Sequence, residues 1–419
     1  MIAPVTQVTR NPAKARTDMQ SRDCKTMIRT LFAATATAAI ALATPAAAQT
    51  VRMDPVDALA GYYEALEAQV ELPVAPPTRV LEGTTALTRI AFGSCNQEHL
   101  SQAYWSVIGR ENPQAFLFIG DNVYGDTGWT GDAALTSLRQ SYAKQATHPE
   151  FRAFREAVPM LATWDDHDYG LNDAGGSFVL KGWAETIFET FWQSSPEVRS
   201  RPGVYESRMV GPEGRRTQII MLDTRYFRSD MARMPYSRER APLGVYPPND
   251  DPATTVLGAE QWAWLQQELA RPADLRMIVS SYQVLTEAHN FESWENFPHE
   301  RARLLEMLGS RNGGGVVLLS GDRHAGGLYT EDVNGEAVWE ITSSSLNFAF
   351  GNTADNTARE PDPRRVSDMI AEENYGLIDI DWRAKSFTLT LKGNSGEERA
   401  SRTVRWSQPS IEDGPRIMR

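Results

Sequence analysis

The chain has 419 residues, of which 41% are hydrophobic and 23% are charged, a composition typical of a water-soluble globular protein. Its formal net charge of −12 excludes a general electrostatic attraction to nucleic-acid phosphates. We therefore expect no specific nucleic-acid partner, and any phosphate group must be attracted by a local charge such as a bound metal.

The N-terminal region has the pattern of a secretory signal peptide. Residues 27–29 supply a positive charge, residues 31–43 are apolar, and an Ala-x-Ala pattern ends at Ala48. The alternative is a membrane anchor, but the apolar stretch is shorter than the ~20 residues that span a bilayer. We predict an upstream extension plus signal peptide over 1–48, with the signal at Met27–Ala48, and a periplasmic or secreted product with no transmembrane anchor.

The rest of the chain is predicted to form a short N-terminal region, one large domain and a polar tail. Residues 49–85 hold a helix at 54–70, capped by Asp54, and then a proline-rich linker. The domain covers 86–406 and the tail covers 407–419. Further helices are predicted at 101–111, 132–147, 182–193, 258–270 and 299–310. Strands are predicted at 87–92, 115–119, 158–162, 217–222, 276–281, 316–319, 337–342, 376–382 and 386–392. Their alternation up to residue 320 indicates an α/β fold, and the last strands are expected to pair antiparallel.

Four of these strands end in clusters of polar side chains that can bind metals. In chain order, the clusters contain Cys95, then Asp121 and Tyr124, then Asp165 to Asp168, and then Asp322 and His324. Ligands of open α/β sheets bind beyond the carboxyl ends of the strands. Because the acidic groups outnumber the needs of one ion, the pattern predicts a binuclear metal centre.

Seven clusters in order resemble the alkaline phosphatase D (PhoD-like) family of the calcineurin-like metallophosphoesterase superfamily, over roughly residues 86–394. They are Phe92-Gly-Ser-Cys95, Gly120-Asp-Asn-Val-Tyr124, Trp164-Asp-Asp-His167, Leu222-Asp-Thr-Arg225, Leu257-Gly-Ala-Glu-Gln-Trp262, Ser293-Trp-Glu-Asn-Phe-Pro298 and Ser320-Gly-Asp-Arg-His-Ala325. The resemblance implies a four-layer α/β/β/α sandwich with mixed sheets over 86–406. It also implies a binuclear centre that hydrolyses phosphate esters, with iron and calcium as the metals.

The residues themselves are consistent with that pair of metals. Asp121 can bridge two ions, while the Tyr124 phenolate and the Cys95 thiolate favour Fe(III) at the first site. The alternative for Cys95 is an inert, buried small side chain. Calcium prefers oxygen ligands, which we expect at the second site from Asp165, Asp166, Asn172 and Asp322. On an extended segment, His324 would point the same way as Asp322.

Other residues are assigned to substrate binding or left open. His167 matches the phosphate-facing histidine of the superfamily, so we expect it to orient the phosphate or protonate the leaving oxygen. Arg225 is predicted to bind phosphate as a catalytic residue, with a salt bridge to a neighbour as the alternative, and Asn172 is a second substrate contact. The Gln283 amide is a second-site ligand or a structural hydrogen-bond partner.

The predicted function is that of a secreted hydrolase acting on phosphate mono- and/or diesters, as small molecules or lipids. One alternative is a phospholipase-type phosphodiesterase acting on lipid head groups. Another is a non-catalytic metal-binding protein on the same fold. The aromatic residues Phe291, Trp294 and Phe297 are candidates for lining the substrate mouth. The isolated histidines are expected to be surface or packing residues; they are His99, His148, His289 and His299.

Overall fold

The computed structural model describes residues 54–237, 243–351 and 353–406. Within them the strands are β1 Arg89–Gly93, β2 Ala115–Ile119, β3 Met160–Thr163, β4 Glu206–Val210, β5 Thr217–Met221, β6 Leu275–Val279, β7 Gly315–Ser320, β8 Gly326–Val333, β9 Glu336–Ser343, β10 Asn374–Asp381, β11 Ser386–Gly393 and β12 Glu398–Arg405. The helices are α1 Pro55–Glu67, α2 Tyr104–Arg110, α3 Thr136–Ala146, α4 Pro149–Ala157, α5 Asp166–Tyr169, α6 Lys181–Trp192, α7 Gly258–Ala270, α8 Pro298–Gly309 and α9 Thr353–Arg359.

The strands form two mixed sheets of six strands each. The first has the order β12-β11-β10-β1-β2-β3, and the second has the order β4-β5-β6-β7-β9-β8. In the first sheet β1, β2 and β3 are parallel, whereas β10, β11 and β12 add antiparallel pairs. In the second sheet β5, β6, β7 and β9 are parallel, with β4 and β8 antiparallel at the edges. The predicted antiparallel pairing of the last strands is confirmed.

Alternation along the central strands divides the core into layers. Leu117 and Ile119 of β2 pack with Met277 and Val279 of β6 in a cluster between the two sheets. The intervening residues of the first sheet contact α2, α4 and α6, and those of the second contact α7 and α8. Side chains of a strand point alternately to its two faces, so the central strands of each sheet are buried on both faces. This arrangement confirms the predicted four-layer α/β/β/α sandwich.

The segment before the first strand packs onto this body. The Asp54 side chain caps α1 by accepting a hydrogen bond from the Val56 amide at 2.8 Å, as predicted. Tyr63 of α1 stacks on Trp183 of α6 with ring centroids 5.3 Å apart. The linker then continues alongside α6, where the Ala75 amide donates to the Phe191 carbonyl at 2.9 Å.

Some elements of the structure were not predicted from the sequence, and two predicted segments lie outside the described residues. Strand β12 is mostly exposed, so it lacks the apolar alternation that marks a half-buried strand. Helix α5 has only four residues, all acidic, histidine or tyrosine. The predicted signal peptide and polar tail both fall outside the described residues. Among the described helices, none combines the length and apolar composition that a membrane-spanning segment requires.

Candidate metal centre

The carboxyl ends of strands from both sheets meet at one edge of the sandwich. Gly120, which follows β2, has a φ of 118°, and a Cβ atom there would lie 2.7 Å from the Asp165 Cβ atom. A side chain at this position would therefore separate the loops after β2 and β3. Because Gly120 has no side chain, the two loops approach closely, and the predicted acidic clusters that they carry come together.

The first group of candidate ligands contains Cys95, Asp121 and His324, whose ligand atoms lie within 4.8 Å of one another. The Cys95 thiol is 3.3 Å from Asp121 Oδ2. Tyr124 joins this group, since its hydroxyl is 3.4 Å from both Asp121 Oδ2 and His324 Nε2. The group thus combines a thiol, a phenol, an imidazole and a carboxylate.

The second group is made only of carboxylates. Oxygens of Asp121, Asp165, Asp166 and Asp322 lie within 4.8 Å of one another. Asp121 belongs to both groups, as a bridging ligand would. The all-oxygen second group and the mixed first group differ in the way expected for a hard divalent ion and a transition metal.

Four of the candidate ligands adopt left-handed backbone conformations. The φ angles are 59° for Cys95, 47° for Asp121, 60° for Asp322 and 51° for His324. Such residues carry strain and cluster at functional sites. The segment from Asp322 to His324 is therefore a turn, not an extended segment. This corrects the expected geometry, because His324 joins Cys95 and Asp121 whereas Asp322 joins the carboxylate group.

The donor set fits bound cations. Among the described residues, Asp121 Oδ1 and Asp165 Oδ2 are buried without a hydrogen-bond partner. Burial raises the pKa of Asp121 well above its usual value, and the charges of Asp166 and Asp165 raise it further. Burial likewise raises the pKa of Cys95 and of Tyr124. A cation among these atoms would satisfy the unpaired oxygens and reverse the penalty for ionisation.

The electrostatic state of the histidine in the first group also suits a metal ligand. Burial lowers the pKa of His324 to about 4, so the imidazole stays neutral near pH 7. Its Nδ1 atom lies 2.7 Å from the Phe348 carbonyl. That contact fixes Nδ1 as the protonated nitrogen, so the lone pair of Nε2 can bind a metal.

His167 lies beside the centre with one nitrogen held by a carboxylate. Its Nδ1 atom is 2.7 Å from Asp126 Oδ1, and its ring packs on Tyr124 at a centroid distance of 4.1 Å. Burial alone would lower the pKa of His167, but the charges of Asp166, Asp121 and Asp126 outweigh it and raise the pKa to about 11. Asp126 was not among the predicted site residues, although it lies two residues after the Gly120–Tyr124 cluster.

Arg225 lies in a buried ion network, as the salt-bridge alternative anticipated. Its Nε atom donates to Asp165 Oδ1 at 2.5 Å, and its Nη1 atom donates to Glu292 Oε1 at 2.8 Å. Glu292 also pairs with Arg228, at 3.1 Å. The Arg225 guanidinium is thus engaged by carboxylates and fully buried, and its expected contact with a phosphate stays a prediction. Glu292 precedes the quoted Ser293–Pro298 cluster by one residue, and that adjacency was the one signal for it.

Asn172 and Gln283 differ in their surroundings. Asn172 is exposed, and its backbone amide donates to Asp126 Oδ2 at 3.1 Å. Gln283 is buried, with Nε2 donating to Thr342 Oγ1 at 3.0 Å and Oε1 lying 3.0 Å from His289 Nε2. Both polar ends of Gln283 are therefore used in structural hydrogen bonds.

The aromatic residues near the centre are partly those expected. Trp294 and Phe297 are fully buried in the outer core of the second sheet, so they do not line a mouth. Phe291 is 39% exposed, with the Arg323 guanidinium 4.6 Å from its ring centroid. Phe350 was not predicted as a site residue. It is 54% exposed, and its ring stacks on His324 with ring centroids 4.0 Å apart.

The remaining histidines have structural or surface environments. His148 Nε2 contacts the Glu98 carbonyl at 2.7 Å, and His299 Nε2 contacts the Thr254 carbonyl at 2.8 Å. His289 is buried, whereas the His99 side chain is 67% exposed. None of these four belongs to a candidate metal group of the described residues.

Comparison with known proteins identifies the family. The sequence profile of the PhoD-like phosphatase family matches residues 90–176 and 203–391. Alkaline phosphatase D of Bacillus subtilis (strain 168) is 26% identical over 358 residues, which cover 75% of this chain and 59% of that protein. The match thus spans less than two thirds of the relative. A solved structure of PhoD has a TM-score of 0.57 at 20% identity, covering 82% of this chain and 74% of that one. The chain therefore shares the fold of PhoD. Because the family profile matches more than half of the residues of this chain, the chain belongs to the PhoD-like phosphatase family.

Proposed function

We propose that the chain is a metal-dependent phosphoesterase that hydrolyses phosphate mono- and/or diesters at a binuclear centre. One observation carries this proposal: Asp121 is shared by a mixed thiol–imidazole–carboxylate group and an all-carboxylate group. Membership of a phosphatase family supports the same reaction class. The non-catalytic alternative is weaker, because the candidate ligands converge and retain unpaired buried oxygens.

The proposed ligands divide between iron and calcium. Fe(III) would be held by Cys95, Asp121, Tyr124 and His324, whose donor types suit a transition metal. Ca(II) would be held by the oxygens of Asp121, Asp165, Asp166 and Asp322. When bound, the two ions would supply an activated water nucleophile and neutralise charge on the phosphoryl oxygens.

The protein groups around the centre would orient the substrate. Asp126 holds His167 by its Nδ1 atom, so we assign the other nitrogen, Nε2, to the phosphate or to the leaving oxygen. Asn172 is exposed beside this pair, and we assign it to the substrate in preference to a metal. We assign Arg225 to holding Asp165, on the strength of their 2.5 Å hydrogen bond.

A lipid phosphodiester is a second candidate substrate, and the apolar rim of the site favours it. Three exposed apolar residues have contacts to the loops that carry the centre. Phe350 is 54% exposed, Phe291 is 39% exposed and lies against the Arg323 guanidinium, and Leu171 is 37% exposed and donates its amide to the Asp166 carbonyl. Phe350 stacks directly on His324. An apolar rim of this kind can contact acyl chains or another apolar leaving group.

We further propose secretion to the periplasm or beyond, with a mature N-terminus at Gln49, and a metallophosphatase domain that begins near residue 86. The mass of the intact protein recovered from the secreted fraction tests this. A mature chain that still contains residues 31–43 would contradict secretion by signal cleavage.

Elemental analysis and a substrate panel test the proposed activity together. We expect about one iron and one calcium per chain, and hydrolysis of p-nitrophenyl phosphate, bis(p-nitrophenyl) phosphate or a phosphatidylcholine vesicle. Preference for the vesicle would select the lipid candidate. A protein that binds both metals but hydrolyses none of the three esters would support the non-catalytic alternative.

A further inference from the structure

Tyr246 is connected to the metal centre although it lies outside it. Its hydroxyl donates a hydrogen bond to Asp173 Oδ2. The backbone amide of Asp173 in turn donates to Asp166 Oδ2 at 2.7 Å. A chain of two hydrogen bonds therefore links Tyr246 to a carboxylate that we assign to the calcium site.

Asp173 is held in an unfavourable position. Its φ is 56°, in the left-handed region, and its carboxylate lies within 4.8 Å of the carboxylates of Asp166 and Glu292. Like charges this close repel one another. The backbone conformation carries strain as well, so the native position of Asp173 depends on the contacts that hold it.

Among the described residues, three hydrogen bonds hold Asp173, and Tyr246 supplies the one to its side chain. The Asp173 carbonyl accepts a hydrogen bond from Arg228 Nη2 at 2.7 Å, and its amide is bonded to Asp166. Both backbone contacts leave the carboxylate without a donor. Among the described hydrogen bonds, the one accepted by the Asp173 carboxylate comes from the Tyr246 hydroxyl.

Tyr246 is itself fixed by residues that take no part in the metal groups. Its amide donates to the Asn290 carbonyl at 2.8 Å, and its carbonyl accepts from Asn296 Nδ2 at 2.7 Å. The residue is only 9% exposed. Its hydroxyl is therefore placed by the surrounding fold and can act as an anchor for Asp173.

We propose that Tyr246 is a positioning residue for the calcium site, acting through Asp173 to hold the Asp166 carboxylate in place for the ion. This role rests on the proposed function, because it takes Asp166 as a ligand. Removing a group that orients a metal ligand through hydrogen bonds typically lowers metal affinity 10–100-fold. Loss of the Tyr246 hydroxyl frees the Asp173 carboxylate to move away from Asp166, and the amide that orients Asp166 Oδ2 moves with it.

The test compares Tyr246→Phe with Tyr236→Phe, which makes the same change at a tyrosine that is 71% exposed. Ca²⁺ binding to the metal-free, full-length protein is measured by calorimetry. We expect the Kd for Ca²⁺ to rise about 10-fold in Tyr246→Phe and to stay within twofold of wild type in Tyr236→Phe. Circular dichroism and the urea m-value check that each variant keeps its fold.

A double-mutant cycle with Asp173→Ala, which removes the acceptor of the Tyr246 hydroxyl, separates positioning from general destabilisation. If Tyr246 acts through Asp173, Tyr246→Phe should have little further effect on the Kd in the Asp173→Ala background. Additive effects, or a wild-type Kd in Tyr246→Phe alone, would overturn the positioning role while leaving the proposed function intact. A wild-type protein that binds no Ca²⁺ would overturn both.

Discussion

Replacing Asp121 by asparagine is the most informative perturbation of the proposed centre. The side chain keeps its size but loses its charge, and Asp121 takes part in three of the four candidate metal groups of the described residues. We expect turnover of bis(p-nitrophenyl) phosphate to fall by at least about 10²–10³, or about 2.7–4 kcal/mol, the effect of losing one strong electrostatic contributor.

Although Asp121→Asn should lower turnover, it should raise the stability of the folded protein when no metal is bound. Burial and the charges of Asp166 and Asp165 disfavour ionised Asp121, so the neutral amide removes a penalty. At pH 9, the metal-free Asp121→Asn protein should melt a few degrees higher than metal-free wild type. Wild type should gain about 2.7 kcal/mol from Ca²⁺ at about 100 times its Kd, and the variant should lose most of that gain.

The matched control is Asp274→Asn, the same substitution beside the amino end of β6. Asp274 Oδ2 accepts a hydrogen bond from the Arg216 amide at 2.8 Å, at the end of the strand opposite the metal groups. This variant should keep its metal content and its turnover. Near wild-type turnover with full metal content in Asp121→Asn would refute the shared-ligand argument.

Three further changes test separate parts of the site and fold. Tyr124→Phe should bleach or strongly shift the visible absorption of iron-loaded protein, because the phenolate charge-transfer band is lost; an unchanged spectrum would remove Tyr124 from the iron shell. His167→Ala should lower kcat while elemental analysis finds near-normal metal content, and metal loss would instead make His167 a ligand. Glu185→Gln should stabilise the protein in alkaline solution. Burial, with help from Glu189 and Asp223, raises the pKa of Glu185 to about 8. The folded state thus holds the proton more tightly, and this contribution to stability is lost as the pH rises from about 4.5 to 8. The variant should therefore melt higher than wild type at pH 9 but not at pH 4, and equal melting temperatures at pH 9 would contradict the inferred burial penalty.

The edge on which the candidate ligands lie was predictable from the sequence. Parallel strands are buried on both faces, so an unbroken apolar run such as Ala115–Ile119 is typical of them. Parallel strands end on the same edge of a sheet, so the residues that follow them are brought together. The pattern of apolar runs followed by polar clusters therefore predicts that Cys95, Asp121 and Asp165 lie near one another.

The division of these residues into groups was decided by backbone conformation. Asp322 and His324 are two residues apart, and period-two alternation would point both the same way. Left-handed φ angles at both residues send them to different groups instead. Single residues in this region are poorly predicted from sequence, because residues other than glycine adopt it only occasionally, Asp and Asn more often than most.

The partners of the charged groups were decided by the tertiary structure alone. Arg225 meets Glu292 across 67 positions of the chain, and His167 meets Asp126 across 41. A pattern of residue types shows that an arginine needs a carboxylate when buried, but not which one. Packing of the two sheets and their loops selects the partner, and so determines that Arg225 is engaged by carboxylates inside the protein while His167 keeps one nitrogen available.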